Sequence, residues 1–479
     1  MPRTLCLHTP VSIRTGDIML LKKYKEEVNI DWKNFYRNVA VLVIPLSLQN
    51  LINVGLPAAD VFMLGRVGEE VLAGSAIANQ IQMIMILFLF GLGSGLTVLA
   101  AQYWGKGDIT TIEKILAMGI KTAILIALAF TVVAIVFPYH VMGLFTNDQV
   151  VIAYGVQYLR IVALSYVFMG FSMSYLLIMR SVEKVIVATV IYTCSLALNI
   201  LLNALLIFGL WGIFPALGIV GAAIGTVIAR IFEVVLIFFY ARLFNKQIKL
   251  RLKYFKQSEK VLRKDFIKYA MPVVINEGIW GLAVAANTAI LGHMSSSAIA
   301  ANSAAQVVRQ FFQVGAFGLA GATAIYVGKT LGEQKLAEAK IYAQKFTQLS
   351  VIVGGIGGLS ILATSPLIIS MLNFDDQSRA YLQFMLIVMS YFVVAQAYNA
   401  THIVGTFRAG GDTRFGIYAD LFSMWTGSLL LAFIASRFLG FGVPVVYVLL
   451  MSDELIKIPV TTIRYKTYKW LKNVTRDFA

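Results

Sequence analysis

Isolated acidic and amide side chains interrupt the long apolar stretches of this chain. Asp60 lies near the end of one such stretch, while Asn199 and Asn203 lie one helical turn apart in another. A charge at the centre of a bilayer costs about 3 kcal/mol or more, so it needs a partner, a cavity or a function. A carboxylate alone can bind a proton, and a carboxylate with converging amide and hydroxyl oxygens can bind Na⁺. These residues therefore predict binding of a small cation inside the membrane.

Six residues form the candidate ion-coupling set because each carries a polar group in an apolar segment. They are Asp60, Asn199, Asn203, Thr226, Glu277 and Asp420. Structural roles stay open for this set: a carboxylate can instead pair with a basic residue such as Arg230, and the asparagines can join adjacent helices by hydrogen bonds. Asp412, which follows two glycines, is predicted instead to cap the start of a helix.

A polar stripe predicts a water-accessible cavity between two halves of the molecule. Its members in the second half follow the helical period: Asn302, Gln306, Arg309 and Gln313. The positions 227 residues earlier are Ser75, Asn79, Gln82 and Ile86, so three of the four are polar in both places. The candidate cavity residues are Asn79, Gln82, Asn276, Trp280, Gln306 and Arg309. Hydrogen bonding between adjacent buried helices is the alternative for this stripe.

The same offset relates the two halves of the sequence without a gap. Pro45 aligns with Pro272 (272 − 45 = 227), Phe90-Gly91-Leu92 aligns with Phe317-Gly318-Leu319, and Gly105 aligns with Gly332. Repeated halves in a membrane chain are typical of transporters, whose site lies where the halves meet, near the bilayer midplane.

Apolar segments long enough to cross a bilayer recur along the whole length. Hydrophobic residues make up 59% of the 479 residues and charged residues 13%, which excludes a soluble globular protein. About twelve transmembrane helices are predicted. Their ranges are 37–63, 71–104, 113–137, 151–180, 184–208, 216–243, 265–291, 297–330, 345–372, 379–408, 413–436 and 442–464.

Six helices in each half bring both halves into the membrane from the same side. The prediction is an all-α membrane protein built from two parallel six-helix repeats, related by a pseudo-twofold axis along the membrane normal. The predicted divisions are an N-terminal segment over 1–36, an N-terminal lobe over 37–243, a basic linker over 244–264, a C-terminal lobe over 265–466 and a tail over 467–479.

The net charge of +16 follows this topology. Lys and Arg concentrate in alternate connections, Arg408 among them, and in both terminal segments, which is the positive-inside pattern. Both termini and the linker are therefore predicted in the cytoplasm, and the protein in the cytoplasmic membrane. A nucleic-acid partner is excluded because the basic residues track topology and do not form one basic face.

Motifs of soluble enzymes are lacking in the sequence. Gly328-Lys329-Thr330 resembles the end of a phosphate-binding loop, but Thr323 stands where that motif needs glycine. Cys6 and Cys194 suggest neither a disulfide framework nor a metal site. We therefore expect no enzymatic activity, no metal and no cofactor, with an ion gradient of H⁺ or Na⁺ as the source of energy.

At these motifs the chain resembles the multidrug and toxic compound extrusion (MATE) family over residues 37–466. The resembling segments are Pro45 with Asp60 and Gly65, Ala101-Gln102 with Gly105-Lys106-Gly107-Asp108, Asn199-Ile200-Leu201-Leu202-Asn203, Gly218 to Thr226, Pro272 to Trp280, and Arg408 to Thr413 with Asp420 and Trp425. Each motif is weak alone, but their order on a twelve-helix repeat is specific.

The resemblance implies cation-coupled efflux and a role for particular residues. The family's ion-responsive site in the N-terminal lobe matches Asp60, Asn199, Asn203 and Thr226, but the family has a second acid where this chain has Asn203. The loss of that charge favours a proton over Na⁺ in this lobe. The family's glutamate on the seventh helix matches Glu277. An acid that some branches carry on the tenth helix is missing, and Asp420 can take its place.

The predicted function is a secondary antiporter that exports organic, often cationic compounds in exchange for H⁺ or Na⁺, working as a monomer among membrane lipids. The alternative is a flippase for lipid-linked precursors with the same broad fold. A strongly basic cavity would favour the flippase, because such headgroups carry phosphates. The intramembrane arginines identified in the sequence, Arg230 and Arg309, stand against four acids (Asp60, Glu233, Glu277 and Asp420), which favours cationic cargo.

Overall fold

A computed structural model describes residues 30–209, 215–256, 259–372 and 374–477. Within these ranges the chain is helical and has no β-strand. Most of the predicted N-terminal segment, including Cys6, lies outside the described residues, as do two residues of the linker and the last two of the tail.

We number the membrane helices α1 to α12. The first half contains α1 (Trp32–Leu64), α2 (Glu69–Lys106), α3 (Ile109–Val136), α4 (Gln149–Val162 and Ser165–Ser181), α5 (Val185–Phe208) and α6 (Gly218–Phe244). The second half contains α7 (Lys260–Gly292), α8 (Ser296–Gly332), α9 (Leu336–Met371), α10 (Asp376–Phe407), α11 (Arg414–Arg437) and α12 (Val443–Leu450 and Asp453–Lys466). Two short helices, Pro138–Gly143 and Lys253–Lys256, lie in connections.

Ten of the described helices are long and apolar enough to cross a membrane, and the two parts of α4, bent by 52°, make an eleventh span when taken together. The remaining predicted span, 442–464, is divided at Met451 and Ser452, and its second part begins with acidic residues. The break separates a strongly apolar segment from a charged one. The all-α, two-repeat membrane fold is confirmed, with α4 bent and α12 interrupted.

Local sequence explains where several helices begin and end. Asp31 and Asp108 precede α1 and α3, and each side chain accepts a hydrogen bond of 3.0 Å from a backbone N–H of the first turn. Gly107 ends α2 with φ +80°, a left-handed conformation that glycine adopts without a steric penalty. Asp412 does not cap α11, in contrast to the prediction. Its carboxylate accepts two hydrogen bonds from Arg464 instead, at 2.7 and 2.8 Å.

Paired glycines bring the two halves into contact, and the pairs obey the repeat. A Cβ on Gly91 would lie 2.7 Å from Val274 Cα, and a Cβ on Gly318 would lie 3.0 Å from Ser47 N. Both the glycines and their neighbours differ by 227 (318 − 91 and 274 − 47). The contacts of α2 with α7 and of α8 with α1 are therefore two copies of one interface, as a pseudo-twofold axis requires.

The Lys-rich ends of α2 and α8 meet in a second symmetric contact. A Cβ on Gly105 would lie 1.9 Å from the carbonyl oxygen of Lys329, and a Cβ on Gly332 would lie 1.9 Å from that of Gln102. Side chains larger than hydrogen do not fit at either position. Glycine at both positions lets the two helices touch backbone to backbone at this end.

The C-terminal tail, predicted as a separate segment, packs across these helix ends in the described range 467–477. Gln102 donates hydrogen bonds to the carbonyl oxygens of Ala409 (2.6 Å) and Lys472 (3.1 Å), and accepts one from the Val474 N–H (2.7 Å). The Trp470 side chain is fully buried. The tail therefore contacts helices of both halves.

Candidate functional site

Four of the candidate ion-coupling residues meet inside the first half. The Asn203 amide donates to Asp60 Oδ1 over 2.7 Å and to Asn199 Oδ1 over 3.2 Å, and the Asn199 amide donates to Thr226 Oγ1 over 3.4 Å. Asn199, Asn203 and Thr226 are buried, and Asp60 is partly buried. A carboxylate, two amides and a hydroxyl from α1, α5 and α6 thus form one connected group.

The helices reach this arrangement through small residues and proline. Gly225 of α6 faces Asn203, and a Cβ there would lie 2.5 Å from Asn203 Oδ1, so glycine makes room for the amide. Pro57 lies one turn before Asp60 in α1, where it removes a backbone hydrogen bond. Asn199 and Asn203 lie one turn apart on α5 and therefore share one face of that helix. This face packs against α6.

Arg230 is engaged by another acid, which weakens the structural alternative for Asp60. The Arg230 guanidinium forms an ion pair with Glu233 Oε2 at 2.8 Å on the same helix. Glu233 is fully buried. The hydrogen-bond partner of Asp60 is the Asn203 amide, while Arg230 acts on Asp60 only through its charge.

Glu277, the candidate in α7, forms an ion pair with Arg408. The Arg408 Nη2 atom lies 2.8 Å from Glu277 Oε1, and its Nη1 donates to Ser94 Oγ at 2.8 Å. The Arg408 side chain is 5% exposed, although the sequence analysis assigned this residue to a basic connection. Arg408 follows the π-helical end of α10 and turns its side chain into the protein. For Glu277 the structure therefore shows the alternative left open by the sequence, a carboxylate paired with a basic residue, and that residue is Arg408.

Asp420 takes part in a buried cluster of charges with α12. Asp420 Oδ2 accepts a hydrogen bond from the Asn276 amide, and Asp420 Oδ1 lies 3.0 Å from Lys457 Nζ. The same ammonium lies 3.3 Å from Asp453 Oδ2 and 3.2 Å from Glu454 Oε1. Three carboxylates thus surround one ammonium, which matches its three N–H donors.

Asp453, Glu454 and Lys457 were not among the candidate residues predicted from the sequence. Two features of the sequence could have indicated them. Five consecutive residues of an apolar segment contain three charges, and Lys457 lies at the repeat position of Arg230 (457 − 230 = 227). The break in α12 puts both acids in the first turn of a helix, where the helix dipole stabilises negative charge. The amide of Asn399 donates to Glu454 Oε2 over 2.8 Å and holds that side chain in place.

A cavity of about 250 Å³ lies against these groups, with Leu87 and Phe90 of the first half on its wall. Its polar and charged lining residues are Asn276, Glu277, Gln396, Asn399, Arg408, Asp420, Glu454 and Lys457. Trp280 and Phe317 belong to its apolar wall. The predicted cavity residues Asn276 and Trp280 are thus placed on a cavity between the halves.

Most of the polar stripe contacts partners within its own half, whereas its last member, Gln313, lines a second cavity between the halves. Gln306 accepts a hydrogen bond from Arg309 Nε (2.7 Å), and Arg309 Nη1 also donates to Gln396 Oε1 (3.3 Å). In the first half Asn79 lies beside the buried Tyr158, and the Gln82 amide contacts the Met169 sulfur at 3.8 Å. In this conformation, then, Asn79, Gln82, Gln306 and Arg309 contact partners of their own half.

The buried pairs correct the charge count made from the sequence. Arg180, Arg408 and Lys457 join the basic side chains of the interior, and Asp453 and Glu454 join the acids. Among the described residues no group of three or more His, Cys, Asp and Glu side chains is arranged to hold a metal ion.

Comparison with known proteins gives consistent matches over most of the chain. The MatE family profile matches residues 45–205 and again 272–434, once in each half. The probable multidrug resistance protein YoeA of Bacillus subtilis is 25% identical over 408 residues, which cover 84% of this chain and 87% of that protein. The probable multidrug resistance protein NorM of Agrobacterium fabrum is 25% identical over 434 residues, 86% of this chain and 89% of that protein.

A solved structure, an outward-facing conformation of a multidrug resistance MATE family transporter of the MOP superfamily, matches the fold. The TM-score is 0.82 at 16% identity, and the match covers 90% of this chain and 95% of that one. The profile match in both halves, the repeat and the membrane helices all agree. This chain is therefore an integral membrane protein that belongs to the MatE family of multidrug and toxic compound extrusion transporters.

Proposed function

We propose that this protein exports organic compounds carrying a positive charge in exchange for H⁺ or Na⁺ that enters the cell. The proposal rests on one observation in each half: a carboxylate accepts a hydrogen bond from an asparagine amide on a neighbouring helix. Asn203 binds Asp60 in the first half, and Asn276 binds Asp420 in the second. Asp60 can take up a cation and lose it again without dismantling a helix, whereas Asp420 already pairs with the Lys457 ammonium.

H⁺ is the better supported of the two coupling ions. In the first half Asn203 stands where a second acid would help to bind Na⁺, so one carboxylate, Asp60, faces two amides and a hydroxyl. In the second half the Lys457 ammonium already lies among the three nearest carboxylates. A proton needs one carboxylate, whereas Na⁺ needs several converging oxygens.

Protonation supplies a way to couple the ion to a change of shape. Loss of a negative charge from Asp60 removes the reason for its close contact with the Asn203 donor, and it lowers the cost of an apolar environment. Binding of an ion can bias one arrangement of the halves only if the ion prefers that arrangement. A protonated Asp60 that packs differently against α5 meets this condition.

Flipping of a lipid-linked precursor is less well supported, because the side chains that line the cavities between the halves are not strongly basic. Two cavities between the halves are lined by three basic side chains, Arg180, Arg408 and Lys457, and by three acids, Glu277, Asp420 and Glu454. A pyrophosphate headgroup requires an excess of positive charge. The balanced lining supports a small organic cargo with its own charges.

The positive-inside rule supports a location in the cell membrane with both termini and the Lys-rich ends of α2 and α8 in the cytoplasm. The symmetric contact between the halves lies within one chain, which supports function as a monomer.

A transport assay in cells tests this function. Cells that lack their own exporters and express this protein should accumulate less ethidium than cells with an empty vector. Addition of an ionophore that collapses the H⁺ gradient should restore accumulation, and a Na⁺ ionophore should separate the two coupling ions. Equal accumulation with and without the protein, for ethidium and a panel of cationic dyes, would contradict the proposal.

A further inference from the structure

A second cavity between the halves contains a guanidinium group that forms no ion pair with any described residue. It has a volume of about 250 Å³ and is lined by Asn50, Val54, Phe90, Arg180, Gln310, Gln313, Val314, Phe317, Gly321 and Val404. Arg180 is the charged member of this lining. It lies in the last turn of α4 and reaches towards α8 of the other half, where a Cβ on Gly321 would lie 3.8 Å from Arg180 Nη2.

No carboxylate of the described residues forms an ion pair with Arg180, whereas Arg230 and Arg408 have such partners. The carbonyl groups at the end of α4 carry only a partial negative charge, equivalent to about half an elementary charge. Arg180 therefore presents net positive charge to the cavity. A charge in a low-dielectric site attracts an opposite charge far more strongly than it would in water.

The other half of the molecule shows what normally neutralises such an arginine. Glu277 and Asn50 are related by the repeat (277 − 50 = 227), and Arg408 and Arg180 by nearly the same offset (408 − 180 = 228). In the second half the arginine pairs with Glu277 at 2.8 Å. In the first half an uncharged amide, Asn50, stands in place of that glutamate. The first half therefore has no carboxylate at the position where Glu277 pairs with arginine in the second half.

The two cavities adjoin and carry charge of opposite sign, with Arg180 in one and an excess of carboxylates in the other. Phe90, Phe317 and Val404 belong to both linings, so apolar and aromatic walls separate Arg180 from Asp420 and Glu454. Together the volumes fall in the range of small-molecule sites, roughly 300–1,000 Å³. Aromatic side chains in the middle suit a planar apolar body between two charged ends.

We propose that Arg180 is an anion-binding subsite for cargo, and that this protein transports zwitterionic aromatic compounds whose carboxylate pairs with Arg180. The cationic group of the cargo then lies towards Asp420 and Glu454. The guanidinium presents paired N–H donors that match a carboxylate. This inference rests on the proposed export of organic compounds and specifies their chemical class.

Binding of two matched dyes to the purified, detergent-solubilised protein tests the proposal. One dye is a rhodamine with a free carboxylate, a zwitterion, and the other is its methyl ester, a cation with the same aromatic body. The protein should bind the free acid roughly tenfold more tightly than the ester, because a charge-assisted pair is present only with the acid. Fluorescence polarisation measures both dissociation constants.

Two substitutions at the subsite should abolish this preference without removing the ester's affinity. Arg180→Gln removes the guanidinium. Asn50→Glu supplies the acid that the second half has at Glu277, so the arginine is neutralised within the protein while keeping its packing. Arg180→Lys should keep part of the preference. Arg437→Gln, which removes an exposed arginine from α11, is the matched control and should leave it unchanged.

Equal affinity of the unaltered protein for acid and ester would overturn the proposal, and so would a preference that survives both Arg180→Gln and Asn50→Glu. A small inorganic anion bound at Arg180 gives the first of these results, since it would serve both dyes alike. Binding of the ester alone would overturn the proposal while leaving export of cations intact. Binding of neither dye would contradict the proposed function as well.

Discussion

At the scale of single residues, Asp60 and Lys457 have opposite surroundings. Asp60 is partly buried, and its hydrogen-bond partner is the neutral Asn203 amide. Lys457 is buried among three carboxylates and is fixed as a cation by them. We infer that Asp60 is a residue of the transport cycle and that Lys457 maintains the structure on which the second half depends.

Asp60→Asn should abolish the pH dependence of transport while leaving the protein folded. The amide resembles a protonated carboxyl group in size and charge, so the first half should stay in its protonated arrangement. Ethidium efflux from cells measured across external pH gives the profile, and the melting temperature reports folding. Full pH dependence in this variant would remove Asp60 from the coupling mechanism.

Asn203→Asp should make transport more dependent on Na⁺. The change places a second carboxylate beside Asp60, within reach of oxygens from Asn199 and Thr226. Several converging oxygens are what a hard cation requires. Efflux measured in Na⁺ and in choline buffers at one pH should diverge in the variant. Asn203→Ser, which removes the amide but adds no charge, is the control. Its efflux should be equal in the Na⁺ and choline buffers.

Lys457→Met should destabilise the protein by about 3–5 kcal/mol, because it leaves three buried carboxylates without their counter-charge. Lys457→Arg keeps the positive charge and should retain more of the stability. Thermal unfolding in detergent measures both. A melting temperature of Lys457→Met equal to that of the unaltered protein would show that the acids are neutralised in another way.

At the scale of the helices, glycines determine how closely the halves approach. The ends of α2 and α8 touch through Gly105 and Gly332, and the tail lies across them. This contact closes the Lys-rich end of the cleft in the present conformation. A transporter that alternates its access must separate these ends in another state.

Gly332→Ala should shift the protein towards a state that is open at this end. Its Cβ would lie 1.9 Å from the Gln102 carbonyl oxygen, so the two helices have to move apart. A cysteine at Thr330, in a background without Cys6 and Cys194, should react faster with a water-soluble thiol reagent. Gly355→Ala, whose Cβ would meet nothing within 4 Å, is the matched control. Unchanged reactivity in Gly332→Ala would show that the contact does not hold the ends closed.

The helices also show which features sequence reasoning can reach. Spacing of one turn on a continuous helix predicted that Asn199 and Asn203 share a face, and they do bond to each other. The cluster of Asp420 with Lys457 depends on a break in α12 and on the approach of two helices far apart in sequence. Hydropathy over a whole span conceals such a break, because the apolar part raises the average.

At the scale of the whole molecule, the repeat of 227 residues predicted the architecture more reliably than it predicted the chemistry. The glycines that it aligned lie at matching contacts between the halves in the structure, since the same backbone geometry is used twice. It did not predict that Arg230 and Lys457, which occupy equivalent positions, have different partners. Nor did it predict that Asn50 occupies the position equivalent to Glu277, which pairs with Arg408. The two halves share the packing of their helices, whereas their charged side chains differ.

Export of an organic compound in exchange for H⁺ or Na⁺ is the function proposed for this protein. Ethidium uptake into liposomes that contain the purified protein tests it most directly, because the gradients are imposed and no other transporter is present. An interior that is acidic relative to the bath should drive uptake that an H⁺ ionophore abolishes, with a smaller response or none to an interior rich in Na⁺. Uptake that proceeds at the same rate under both gradients and with none would contradict the account.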